Sequence, residues 1–203
     1  VIDASFPADY KKRAVRLAYL DQIAARATWA AECGTRYVYL ASTSSLPPVT
    51  SIYGEVKRTA EQAVLRQSGR LLRAGLVISA TDPGGRYGQM AGIVRRLPVL
   101  MLPAPSEFPL FVTNLTDLLS DIGLVTTGPW PAADRWVTGT QQSSLADVLA
   151  KLARPHQPVV SLGPGASRVA ARLARNVHFG PLDSLASIAE QSQRDLPPDE
   201  GAE

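Results

Sequence analysis

With 203 residues, 45% hydrophobic and 19% charged, the chain can bury a sizeable core as one domain or a domain with an appendage, and is not disordered by composition. A formal net charge of +3 is too small to argue for nucleic acid, and a solvated helix face explains the longest basic run, Lys11-Lys12-Arg13, better than a phosphate track does. One Cys and two His exclude a disulfide framework and argue against structural zinc, and no apolar run approaches the ~20 residues that cross a bilayer. The N-terminal residues VIDASFPADY lack a signal-peptide pattern, so a cytoplasmic protein is the expectation.

In chain order, residues 1–4 predict a short strand that ends at Ser5 and the Phe6-Pro7 turn. Residues 9–32 predict a helix, with Leu17, Leu20, Ile23, Ala24, Ala27 and Ala31 on its inner face and Gly34 as its stop. Cys33, just before that glycine, reads as a small packing residue. Residues 37–41 predict a buried strand that delivers Ser42, Thr43, Ser44 and Ser45 to its carboxyl end. After a proline-containing loop, Ser51 can cap a helix with Val56, Ala60 and Val64 inside and Gly69 beyond its end. Residues 71–79 (LLRAGLVIS) read as one further strand. Beyond it come a short helix near 90–96, an apolar stretch broken by Pro98, Pro103 and Pro105, and a strand at 111–114 leading into a helix. A strand at 136–138, a helix capped by Ser144, a strand at 159–162, an Arg-rich helix at 168–175 and a polar tail from 191 complete the chain.

Strands alternating with helices imply crossover connections and a parallel sheet, and near-continuous apolar strands imply helices on both faces. Ligands of such sheets bind beyond the carboxyl ends of the strands. The small and polar residues of this chain are concentrated there. Tyr53 and Lys57, four apart at the start of a helix, project from one face towards those hydroxyls. Hydroxyl, phenol and ammonium together form a proton-handling site. The Tyr-x-x-x-Lys spacing is short enough to arise by chance; its place in a strand–loop–helix after a hydroxyl cluster is what gives it weight.

These segments resemble, in order, the catalytic part of the short-chain dehydrogenase/reductase superfamily in its extended branch of NAD-dependent epimerases and dehydratases. VIDAS resembles the fourth sheet strand, and YVYLASTSS the strand that carries the catalytic Ser or Thr. YGEVKRTAE is similar to the Tyr-Gly-x-x-Lys helix with its trailing Ala-Glu, and LLRAGLVIS to the Arg-containing strand after it. FVTNLTDL resembles a later segment that ends in aspartate and leucine, with Asp117 as its aspartate.

The resemblance implies an α/β, Rossmann-like parallel sheet with flanking helices, truncated at its N-terminus relative to the family. It implies a NAD(P)-binding part over 1–125, a smaller substrate-side region over 126–190 and a tail at 191–203. Tyr53 is then the acid/base, Lys57 supports the phenolate and the nicotinamide ribose, and Thr43 orients the substrate oxygen, with Ser42 and Ser44 as alternatives. Ala41, Ser42, Leu76 and Val77 would line the cofactor, NAD or NADP; Ser44 and Arg95 would meet the substrate. The implied function is that of an oxidoreductase, epimerase or dehydratase acting on a hydroxyl or keto carbon of a nucleotide-linked sugar. A homodimer through the two long helices goes with it, and no metal, nucleic acid or membrane is implied. The family's Gly-rich dinucleotide turn has no counterpart, because the chain begins at what resembles strand four; Gly163-Pro164-Gly165 reads as a turn capped by Ser167. The alternative is a non-catalytic or truncated relative that binds or regulates.

Overall fold

The structure, a computed structural model, describes residues 1–166 apart from 48, 50, 80–83, 103–108, 132–133 and 164. The Arg-rich stretch at 168–175 and the tail from 191 therefore lie outside the described residues, as do parts of the loops at 79–85 and 163–165. The elements are β1 (Ile2–Asp3), α1 (Arg13–Glu32), β2 (Val38–Ser42), α2 (Ile52–Arg66), β3 (Arg70–Ala74), β4 (Leu76–Ile78), α3 (Gly85–Val94) and β5 (Leu100–Leu102). They continue with β6 (Pro109–Asn114), α4 (Leu115–Thr127), β7 (Asp134–Trp136), β8 (Gln141–Ser144), α5 (Leu145–Leu152) and β9 (Val159–Ser161). Two units divide them: residues 1–74 with 116–139, and residues 75–115 with 140–166 of the described chain.

In the first unit β1, β2, β3 and β7 lie side by side in that order, all parallel. Tyr37, Tyr39 and Ala41 of the β2 segment alternate onto one face, where they pack with Tyr19, Ile23, Ala27 and Ala30 of α1 and Val56, Ala60 and Val64 of α2. Val38 and Leu72, with the opposite parity, are buried as well, which is the two-sided burial expected of a parallel sheet.

The helix α1 begins at Arg13 and not at residue 9. Residues 9–12 are taken up by a turn in which the Lys12 amide donates to the Asp9 carbonyl, Lys12 pairs with the Asp9 carboxylate at 2.7 Å, and Arg16 donates to the Lys11 carbonyl. Its buried face also differs from the expected one. Leu17 is 52% exposed, and Tyr19 turns inward because its hydroxyl finds a buried partner. Cys33, expected as a packing residue, is exposed, as is Trp29. The helix α2 is capped as expected, the Gly54 amide donating to Ser51 Oγ at 3.1 Å. At its other end the left-handed residue is Ser68 (φ +58°); Gly69 instead donates to the Val64 carbonyl, where a Cβ would lie 2.5 Å from Val64 Cγ1.

The single strand expected over 71–79 is two. Gly75 separates β3, in the sheet of the first unit, from β4, in that of the second. A Cβ on Gly75 would fall 2.3 Å from the Phe111 carbonyl oxygen, and its amide donates to Thr113 Oγ1 at 2.9 Å, so only glycine admits β6 this close.

In the second unit β4 pairs parallel with β6, β6 antiparallel with β8, and β5 parallel with β9. Leu76, Met90, Val94, Leu110, Val148 and Leu149 belong to its core. Ser144 caps α5 through a 3.1 Å bond from the Asp147 amide. Buried Gln157 ties the end of α3 to the loop before β9, donating to the Val94 and Leu97 carbonyls at 2.9 and 2.8 Å.

Candidate functional site

At the carboxyl end of β2 the chain tightens into a 3-10 turn, Thr43–Ser45, which Ser42 caps by accepting from the Ser44 amide. Thr43, Ser44 and Ser45 are buried, Thr43 completely, and Ala41 at the strand end is buried beside them. The first turn of α2 presses on this cluster. A Cβ on Gly54 would lie 2.3 Å from the Ser44 carbonyl oxygen, so the glycine after Tyr53 is what lets helix and hydroxyl turn meet.

Tyr53 is half-buried and Lys57, one turn on, is buried. Lys57 Nζ donates to the Leu40 carbonyl at 2.9 Å and stands 4.5 Å above the centre of the Tyr39 ring. Phe6, from the turn after β1, touches both residues: its ring centre is 4.7 Å from that of Tyr53 and 5.1 Å from the Lys57 ammonium. Tyr10 adds a further edge contact to Tyr53.

Beside this pair lies a phenol network. Tyr19 donates to the Ser5 carbonyl at 3.0 Å, and the Tyr39 hydroxyl lies 2.8 Å from that of Tyr19. Tyr37 donates to Asp3 Oδ2 at 2.7 Å, and Asp3 also accepts from the Ser5 amide, the Ser5 hydroxyl and Arg26. Burial alone would raise the Asp3 carboxyl, but the hydrogen bonds from Ser5, Tyr37 and Arg26 outweigh it and hold the group below its ordinary value. Burial pushes the Tyr19 phenol up to about 12 and raises Tyr39 and Tyr37 further, Tyr37 also because it donates to a carboxylate. At neutral pH these three phenols act as fixed donors and not as acid–base groups. Tyr53 is set apart by its place beside Lys57 and the hydroxyl turn.

Deeper still, Glu61 of α2 accepts from Ser45 Oγ in a short contact and from Arg73 Nη2 at 3.0 Å; Arg73 in turn reaches Asp134 of β7. Arg73 and Glu61 are both buried.

The candidate residues fall in both units. Ala41, Ser42, Thr43, Ser44, Tyr53 and Lys57 come together in the first. Leu76, Val77 and Arg95 belong to the second, where Leu76 is a core side chain, Val77 is half-buried and Arg95 is exposed at the end of α3. Sequence reasoning missed Asp3, Phe6, Tyr10, Tyr19 and Tyr39 as neighbours of the site. One signal was present: five of the six tyrosines fall within the first 53 residues. Among the described residues no His, Cys, Asp or Glu cluster could hold a metal ion, and no helix is long and apolar enough to cross a membrane.

No protein-family model and no curated protein matches the chain. Its fold is similar to that of dTDP-4-dehydrorhamnose reductase from Bacillus anthracis in complex with NADP, at 16% identity and a TM-score of 0.61, covering 81% of this chain and 66% of that one. It is also similar to the Bordetella bronchiseptica enzyme WbmG in complex with NAD and UDP, at 15% identity and a TM-score of 0.56, covering 95% and 72%. A third similar structure is dTDP-glucose 4,6-dehydratase from Streptomyces venezuelae with NAD bound, at 12% identity and a TM-score of 0.56, covering 94% and 71%. At such identities the likeness is one of fold. The Rossmann-like α/β architecture expected from the sequence is the one found, and the chain spans 66% to 72% of these three proteins.

Proposed function

We propose that the chain carries the catalytic half of an NAD(P)-dependent oxidoreductase, epimerase or dehydratase acting at a hydroxyl or keto carbon of a nucleotide-linked sugar. The observation that carries this reading is the close approach at Gly54, which sets the buried hydroxyl turn against the helix turn bearing Tyr53 and Lys57, at the carboxyl end of a parallel strand. The nucleotide-sugar class comes from the fold relatives, two of them reductase and dehydratase of dTDP-sugars.

The donor set fits the nicotinamide riboside end of the cofactor: small Ala41 at the strand end, the Ser42 hydroxyl, and an ammonium within reach of ribose hydroxyls. Ala41, Ser42, Tyr53 and Lys57, all of the first unit, would hold it; bound there, it would supply or accept the hydride. The rest is done by the chain's own groups. The Tyr53 phenol gives a proton to the substrate oxygen or takes one from it, and a hydroxyl at the end of β2 holds that oxygen by a hydrogen bond: Thr43, which is completely buried in the chain alone, or the half-buried Ser42. In the first unit Ser44 is the candidate for binding the remainder of the substrate. We assign no residue to the pyrophosphate.

The test is Tyr53→Phe. Turnover should fall by roughly 10²–10⁴; undiminished turnover sinks the assignment. A second reading, a non-catalytic binding protein, is favoured by Phe6 and Tyr10, whose rings lie against Tyr53. Calorimetry with NAD and NADP separates the two, since the second reading expects no heat of binding. A homodimer through α1 and α2 accords with the exposed Leu17, Trp29 and Leu65 on these helices, and sedimentation tests it.

A further inference from the structure

Two charged residues in the motif segments, Glu61 in the trailing Ala-Glu of α2 and Arg73 in β3, have no part in the proton chemistry just described. Both are buried, yet the chain carries them at a cost in desolvation that only a specific arrangement offsets. Glu61 stands one turn beyond Lys57, which itself stands one turn beyond Tyr53, so the three share a helix face. That face is tied to β2 and its turn at three successive levels: Gly54 against the Ser44 carbonyl, Lys57 Nζ on the Leu40 carbonyl, and Glu61 on the Ser45 hydroxyl. Arg73 holds the second oxygen of Glu61 at 3.0 Å and is itself anchored on Asp134. Ser45 closes the turn whose first residue is Thr43, its hydroxyl also 2.6 Å from the Ser42 carbonyl.

We infer that Glu61, clamped by Arg73, is a positioning residue that fixes the Thr43–Ser45 turn against α2 and so sets where the Thr43 hydroxyl stands relative to Tyr53. The inference rests on the reading of Thr43 and Tyr53 as a site, but the tie itself is measurable without turnover. A carboxylate suits the task because it accepts from Ser45 on one oxygen and from a guanidinium on the other, with neither bond competing for the same lone pairs. An amide at this position keeps one acceptor and loses the charge that holds Arg73.

The experiment is amide hydrogen exchange on the full chain, read by mass spectrometry, for Ser45→Ala and Glu61→Gln. Removing one buried hydroxyl is mild enough for Ser45→Ala to fold, and peptides from α1 report whether it has. Exchange over residues 43–46 should rise at least tenfold in both variants while α1 is unchanged. With a nucleotide-sugar substrate, kcat should fall at least tenfold, while KM and the NAD affinity stay within threefold of native. Native exchange over 43–46 in Glu61→Gln overturns the inference, and this variant decides because Ser45→Ala also removes the bond to the Ser42 carbonyl. Raised exchange with native kcat overturns it as well. If native protein turns over no substrate, the proposed function fails, and the exchange result alone shows whether Glu61 fixes the turn.

Discussion

At Gly54 a hydrogen atom in place of a side chain decides how closely α2 approaches the hydroxyl turn. Gly54→Ala would drive a Cβ to 2.3 Å from the Ser44 carbonyl, a backbone atom that cannot swing aside. We expect a loss of about 1–3 kcal/mol in chemical denaturation and, on the proposed function, a larger proportional loss of turnover, because the displaced turn carries Thr43. Asp3 gives a pH-dependent expectation. Its folded-state pKa lies below the ordinary 3.8, so its contribution is fully present above that value and is lost as pH falls through the lower folded value. Asp3→Asn should therefore cost about 1–3 kcal/mol near neutral pH, and the gap from native should close as denaturation curves are taken below pH 3.8. The placement of Tyr53 and Lys57 on one helix was legible because it is local, the two lying four residues apart. The tie between Glu61, Ser45 and Arg73 was not, since pairing across 12 and 16 residues of sequence depends on strand register that no periodicity encodes.

The elements show the same division. Ser51 and Ser144 were readable as caps, and the inner face of α2 as Val56, Ala60 and Val64, because capping and helical period act within one turn. The face of α1 was only partly read, with Ile23 and Ala27 inside as expected but Leu17 and Ala31 exposed: an evenly apolar, Ala-rich sequence offers several equivalent stripes, and the choice fell to Tyr19 through its hydroxyl bonds to Ser5 and Tyr39. The break at Gly75 was hidden inside an apolar run that satisfies a strand from end to end. Its cause lies in the approach of Phe111, 36 residues away and in the same unit, so a substitution at the glycine tests that approach. Gly75→Ala should lower stability by about 1–3 kcal/mol through the displaced β6 backbone and the weakened bond to Thr113, measured as a fall in the denaturation midpoint. A native midpoint would mean that β6 yields without cost.

At the scale of the whole molecule, the chain enters and leaves the two units in turn, passing from one to the other after Ala74, after Leu115 and after Gly139. The parallel sheet of the first unit was legible from alternating apolar strands and helices. Its last strand, β7, comes from a segment that composition gives no reason to place beside β3. That interleaving has an optical consequence. All three tryptophans, Trp29, Trp130 and Trp136, fall in the first unit, so indole emission follows that unit alone, whereas far-ultraviolet dichroism follows helices and strands of both. With each unit assembled from separate stretches of one chain, neither can lose its structure without releasing segments that border the other. The two signals should thus trace a single denaturation curve with one midpoint; an emission change well ahead of the dichroism change would reveal units that melt apart.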